Sequence, residues 1–207
     1  MNKVKKMYPS FKLYLKAEFE GPYPATDMIV WHKDKIKEGI VLIMRENFPY
    51  GLALPGGMCE NGLNYLQNSK KEMREEISLK VKIFDEYLLR PIVLSESNQD
   101  VRAHISSHVY VGRGFGNLKA NDDAKKARIF SLEEICELIK KPVLKAGTKP
   151  DNFEDGWSMP HYKVALATYF FDLIEGRTNN IINWKPSEEQ KSIIYSIVDS
   201  YRDKIEK

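Results

Sequence analysis

Apolar residues along this chain recur with two distinct periods. Residues 11–19 alternate, with Leu13, Leu15, Ala17 and Phe19 on one side, as a half-buried strand requires. Residues 26–31 and 39–44 are continuous apolar, β-branched runs bounded by polar or turn residues, and they predict two buried strands. Further strands are expected over 87–94, 104–111 and 127–130. The period then lengthens. Ser131-Leu-Glu-Glu134 is a capping box that opens a helix to about residue 140, residues 161–174 form a strongly apolar helix, and Ser187-x-x-Gln190 starts a final helix. That last helix places Ile193, Ile194, Ile197 and Tyr201 on one face. Strands followed by helices in this order predict one mixed α/β domain.

The stretch 54–79, LPGGMCENGLNYLQNSKKEMREEISL, carries the chemistry. A short apolar strand enters Pro55-Gly56-Gly57, and a helix downstream carries Glu72, Glu75 and Glu76. At about 100° per residue these three carboxylates fall within an arc of about 100°, while Leu66, Met73 and Ile77 form an adjoining apolar stripe. Like charges four residues apart cost roughly 0.2–0.5 kcal/mol in an isolated helix, and a hard divalent cation converts that repulsion into binding. The plain alternative is a solvated acidic face, since Lys70, Lys71 and Arg74 are interleaved. The glycine turn at a fixed distance upstream favours a strand–loop–helix metal site.

This segment resembles the Nudix box: a glycine, five residues, a glutamate, seven residues, then Arg-Glu-apolar-x-Glu-Glu-x-Gly-apolar. With its first glycine on Gly57, the box glutamates fall on Glu72, Glu75 and Glu76, and the closing apolar residue on Leu79. Three positions depart: Leu63 stands for the early glutamate, Lys71 for the arginine and Ser78 for the late glycine. The segment DVRAHISSHVYVGRGFGNLKANDDAKKARIFSLEEI, residues 100–135, resembles a stretch common in the ADP-ribose pyrophosphatase branch of that superfamily. The resemblance implies a Nudix-type α/β/α sandwich with a mixed sheet and C-terminal helices, as a single domain over 1–207. Its core covers about 25–175, with an N-terminal strand extension over 1–24 and a C-terminal helical appendage over 176–207.

The same resemblance implies Mg²⁺ or Mn²⁺ held by Glu72 and Glu76, with Glu75 assisting and the Gly56 carbonyl as a further ligand. Gly57 would contact the substrate; Arg102, on the same strand face as His104 and His108, is a candidate to bind a phosphate or a ribose, against the equal reading of an ordinary surface arginine. ADP-ribose, cleaved to AMP and ribose 5-phosphate, is the expected substrate; Asp151, Glu154 and Asp155 in DNFEDGW are the candidates for the general base, Glu154 first among them, against the plain reading of an acidic surface loop. Phe153 and Trp157 beside it are candidates for a lid. The family arginine and early glutamate brace the loop as a pair. Their joint replacement by Lys71 and Leu63 is either compensated or the mark of a non-catalytic nucleotide sensor.

Composition narrows the classes further. The chain has 207 residues, 43% of them hydrophobic, enough for a substantial core. A formal net charge of +3 gives no case for nucleic acid. Two cysteines without a CxxC pair indicate neither zinc nor a disulfide framework, and no stretch has the length of a membrane span. A cytoplasmic enzyme is expected, and the apolar C-terminal helices suggest a homodimer. Gly112-Arg-Gly-Phe-Gly116 is expected to be a hairpin turn. His104 and His108 would share a strand face about 13 Å apart, too far for one metal.

Overall fold

The computed structural model describes residues 21–96, 99–178 and 184–205. The expected strand over 11–19 lies outside these. Its centre is one mixed sheet of eight strands. Strand β1 (Tyr23–Lys33) and β7 (Ile105–Phe115) run parallel down the middle, in register from Tyr23↔Ile105 to Trp31↔Arg113. Thr26 to Trp31 are all buried, which is why this run is apolar without alternation. Strand β2 (Glu38–Arg45) pairs antiparallel with the end of β1, and β8 (Ala124–Phe130) pairs along the opposite edge of β2.

The segment that enters the glycine turn splits this sheet. Strand β3 (Leu52–Ala53) pairs with Ile43 and Met44 of β2, whereas β4 (Gly56–Met58) pairs with residues 25–27 of β1. Between them the Met28 N–H donates to the Pro55 carbonyl at 3.0 Å. One short run of chain thus bonds first one strand and then its neighbour, wedging β1 and β2 apart at Pro55-Gly56-Gly57.

Helix α1 (Tyr65–Ile77) covers one face of the sheet. Asn64 caps it reciprocally with Gln67, and Met73 and Ile77 are fully buried, each side chain contributing roughly 1.5–3 kcal/mol by leaving water. Ser78 ends it in the left-handed conformation at φ 59°, doing the work of the family glycine. Helix α4 (Pro160–Ile174) covers the opposite face, where Trp31 Nε1 donates to the Tyr169 hydroxyl at 2.6 Å. Helix α5 (Glu188–Ile205) packs on α4 through Ile194 and Val198, with Tyr195 edge-on to Phe171. The expected α/β/α sandwich is the observed one. Both capping boxes are present as well, at Ser131 before α3 (Leu132–Leu138) and at Ser187 before α5.

Two expectations need correction. Residues 87–94 are not one strand. A short helix α2 (Asp85–Leu88) buries Tyr87, whose hydroxyl donates to Asp172 on α4, and only β6 (Ile92–Leu94) is extended. Nor is Gly112–Gly116 a hairpin turn: Gly112 to Phe115 continue β7, paired with β5 (Lys80–Ile83). A Cβ at Gly112 would stand 2.6 Å from the Lys82 carbonyl oxygen, and one at Gly114 2.8 Å from Leu79. These glycines serve close packing, not chain reversal.

Candidate active site

The glycine turn and helix α1 face each other. The Gly56 N–H donates to Glu76 Oε2 at 2.8 Å, and Glu76 is only 2% exposed. Gly57 lies under the half-buried Glu72, whose carboxylate atoms come within 2.8–2.9 Å of where a Gly57 Cβ would stand. Burial pushes the Glu76 carboxyl up to about 8, against the lowering effect of the Gly56 N–H, and the nearby Glu72 adds to the rise. Burial likewise pushes Glu72 up to about 7, with Lys71 opposing and Glu75 assisting. Two carboxylates whose burial disfavours their charge, set against one peptide turn, form a site that gains from a cation.

Glu75 is placed differently. It is exposed and accepts from Lys71 Nζ at 2.6 Å, while the same ammonium donates to Glu60 at 2.8 Å. Lys71 therefore keeps a carboxylate partner in the loop, supplied three residues before Leu63. Asn68 completes the loop's support, accepting from the Glu60 N–H and donating to Thr26 Oγ1, both at 3.0 Å.

On its other side the turn walls a cleft of about 100 Å³. Arg102 lines it, gripped in a fork by Asp100 with contacts at 2.9 and 2.6 Å. Burial pushes the Asp100 carboxyl up, but the Arg102 guanidinium and backbone N–H outweigh it and hold it below the usual carboxylate range. Arg45, Asp27, Ser107, His161 and Tyr162 line the same cleft. Asp27, 5% exposed, accepts from the Ser107 hydroxyl, and His161 Nε2 stands 3.7 Å from its Oδ2.

Gly56, Gly57, Glu72, Glu76 and Arg102 are thus brought to one region, the glutamates behind the turn and Arg102 before it. Glu154 is not. Its carboxylate pairs with Arg128 Nη2 at 2.8 Å and lines a separate groove with Glu133 and Glu137. Phe153 and Trp157 are core residues: Phe153 packs on Phe130, and buried Trp157 donates to the Leu138 carbonyl at 2.7 Å, so neither forms a lid. Arg102 precedes β7 rather than lying on it, and so does His104, whose ring contacts the Ser95 carbonyl. His108 stacks on Tyr65 at 4.1 Å. The sequence reading missed Asp27, Asn68 and His161. Asp27 alone carried a signal, a carboxylate in an otherwise apolar strand.

The residues named can accept a divalent cation. Glu76 offers buried and Glu72 half-buried oxygens beside the Gly56–Gly57 turn, and Glu75 would have to leave Lys71 to join them. Among the described residues, no cluster of three or more metal-ligating side chains is already gathered.

A sheet split by a glycine turn, with buried glutamates from the next helix laid over it, defines the class, and comparison with known proteins agrees. The family profile described as NUDIX domain matches residues 22–151, and the chain belongs to the Nudix family. Within it, the chain is 36% identical over 131 residues to an ADP-ribose pyrophosphatase of Methanocaldococcus jannaschii, covering 62% of this chain and 70% of that one. Both findings support a pyrophosphohydrolase. Among solved structures, the fold is similar to a NUDIX hydrolase from Nitrosomonas europaea, with a TM-score of 0.53 and 14% identity over 77% of this chain and 76% of that one. It is also similar to a bifunctional NMN adenylyltransferase/ADP ribose pyrophosphatase from Francisella tularensis, crystallised with AMP and a Mn ion. There the TM-score is 0.52 with 24% identity over 84% of this chain, which spans 46% of that longer one. No helix among the described residues is long and apolar enough to cross a membrane.

Proposed function

We propose that this chain hydrolyses a nucleoside diphosphate derivative, ADP-ribose first among them, to AMP and ribose 5-phosphate, with Mg²⁺ or Mn²⁺ held by Glu72 and Glu76. The observation that carries the reading is the Gly56–Gly57 turn, with the buried Glu76 and half-buried Glu72 carboxylates against it and the Arg102 cleft beside it. The relative from Methanocaldococcus jannaschii supports the substrate, and the Mn ion of the Francisella tularensis structure supports the metal.

When bound, the cation supplies charge neutralisation for the diphosphate, the main need in phosphoryl chemistry. The chain's own residues do the rest. Arg102, fixed by Asp100, presents a guanidinium to the phosphate oxygens at the cleft wall. Gly57, without a side chain, lets Glu72 approach the turn closely. The Lys71–Glu60 contact holds the loop between them and favours a working enzyme over a sensor. Glu75 is assigned an assisting role, reached by exchanging Lys71 for the metal.

The test is release of AMP from ADP-ribose, compared with NADH, a diadenosine polyphosphate and a nucleoside triphosphate, each with Mg²⁺ and with Mn²⁺. ADP-ribose should be turned over fastest, and Glu72→Gln should abolish turnover. Binding of ADP-ribose without turnover of any substrate would overturn the reading in favour of a sensor.

A further inference from the structure

One hydroxyl of the cleft wall bonds to nothing among the described residues. Tyr162, the third residue of α4, lines the cleft and is only 2% exposed. Its hydroxyl has no hydrogen-bond partner there, yet it is not among the side-chain atoms closed off from solvent, as His161 Nδ1 is. The sliver of Tyr162 that meets water therefore includes the hydroxyl, and the water it meets is that of the cleft. Burial holds the ring, with His161 beside it at 4.1 Å between centroids, so the hydroxyl is in place before any ligand arrives. Burial, with Asp27 assisting, pushes the phenol far above its usual range against Arg45 and Arg102, so it stays protonated and can donate. The neighbours say what it would donate to. Arg102 is gripped by Asp100, and Asp27 accepts from Ser107. Arg45, 8% exposed, donates from Nε to the Pro49 carbonyl at 2.9 Å, and no carboxylate among the described residues is in ion-pair contact with it. A buried cation without a counter-ion and a buried donor without an acceptor, in one cleft, both gain from an anionic oxygen.

We propose that Tyr162 binds substrate by donating its hydroxyl hydrogen to a phosphate oxygen of the diphosphate, an assignment that rests on the hydrolase reading above. Arg102 and Arg45 supply charge at the cleft wall, and Tyr162 adds direction, because a hydroxyl on an immobile ring reaches an acceptor in one place. A ligand that fills the cleft displaces the water at this hydroxyl. One that brings an anionic oxygen replaces that bond, and one that brings no acceptor leaves the hydroxyl stranded.

The experiment compares the full chain with its Tyr162→Phe variant, which removes one oxygen and no carbon. ADP-ribose binding is titrated calorimetrically with EDTA in place of Mg²⁺, and hydrolysis is followed with Mg²⁺, with melting temperatures alongside. Tyr162→Phe should bind ADP-ribose roughly 10- to 100-fold more weakly and lose a similar factor in kcat/KM, at an undiminished melting temperature. Tyr169→Phe is the control. Its hydroxyl accepts from Trp31 in the core, so this variant should lower the melting temperature and leave affinity and kcat/KM alone. Tyr162→Phe with wild-type affinity and turnover overturns the proposal alone. So does a loss that comes with a falling melting temperature and recurs in Tyr169→Phe, the mark of a structural role. Wild type that binds ADP-ribose but turns over no substrate overturns the hydrolase reading, and the binding titration then decides the place of Tyr162. Wild type that neither binds nor hydrolyses overturns both.

Discussion

Gly57→Ala isolates the geometry of the site from the stability of the fold. Gly57 pairs with Thr26 in β4, and no left-handed backbone is required there, so alanine can adopt its conformation. The new Cβ would stand 2.8 Å from Glu72 Cδ and 2.9 Å from both carboxylate oxygens. Ordinary non-bonded contact begins at about 3.5 Å, so the carboxylate must retreat by roughly 0.6 Å. It is the far end of a flexible, half-buried side chain, and the movement costs the fold little. Alanine also restricts the unfolded chain, contributing about 0.4–1 kcal/mol in the opposite direction. The melting temperature should therefore stay within a few degrees of wild type. Activity has no such latitude. A misplacement of about 1 Å can cost around 10²-fold, so kcat/KM should drop roughly 10- to 100-fold, or about 1.4–2.7 kcal/mol. Calorimetric Mn²⁺ affinity should weaken in parallel. Gly56→Ala is the contrast. Its Cβ would meet the Thr26 carbonyl oxygen at 2.2 Å, with φ at +154°, and this variant should fail to fold. Gly57→Ala with native stability, full activity and full metal affinity would show that the position of Glu72 does not matter, refuting the site proposed above.

Three other outcomes follow from the same contacts. The folded-state values of Glu76 and Glu72 lie above the ordinary 4.5, so the stability each contributes is fully present below that pH and is lost as pH rises from 4.5 to its folded value. Metal-free protein should lose stability as pH rises from about 4.5 to about 8, with Glu76 accounting for a change on the order of 4 kcal/mol. Glu76→Gln should flatten that slope, and Mg²⁺ should raise the melting temperature at pH 8 in wild type only; equal slopes in denaturant titrations would contradict this. Glu60→Gln should lower activity, and adding it to Lys71→Met should cost nothing further, because Lys71→Met already removes the Glu60 contact along with the one to Glu75. Strict additivity in kcat/KM would show the contact to be incidental. Glu154→Gln should leave kcat within about threefold of wild type, since its carboxylate pairs with Arg128 in a different groove; abolished turnover would return the base to that loop.

What could be read in the sequence was local. The acidic helix, its apolar stripe, the glycine turn and two capping boxes each depend on residues within a few positions of one another, and all are present. Strand β5 was missed although Lys80-Val81-Lys82-Ile83 alternates, because four residues are too few to stand out beside a helix end. The glycines of β7 were misread because their reason lies elsewhere in the chain. Only the presence of Lys82 and Leu79 against Gly112 and Gly114 distinguishes tight packing from a turn.

The same distinction separates the two halves of the site. Glu72 and Glu76 share a helix with a fixed spacing, so their meeting over the turn follows from helical geometry alone. Glu154 and His161 sit at the end of one long loop, and neither spacing nor residue type says which of them turns inward. The fold decides it: the Trp157 indole anchors to the Leu138 carbonyl, Ser158 N–H bonds to the Leu52 carbonyl, and Pro160 starts α4 directly afterwards. Those long-range bonds place His161 beside Asp27, 134 positions earlier in the chain, and leave Glu154 on the far side with Arg128. Acidity and nearness in sequence therefore pick out the exposed carboxylate, whereas only the folded chain shows that the imidazole lines the cleft and Glu154 lines a separate groove.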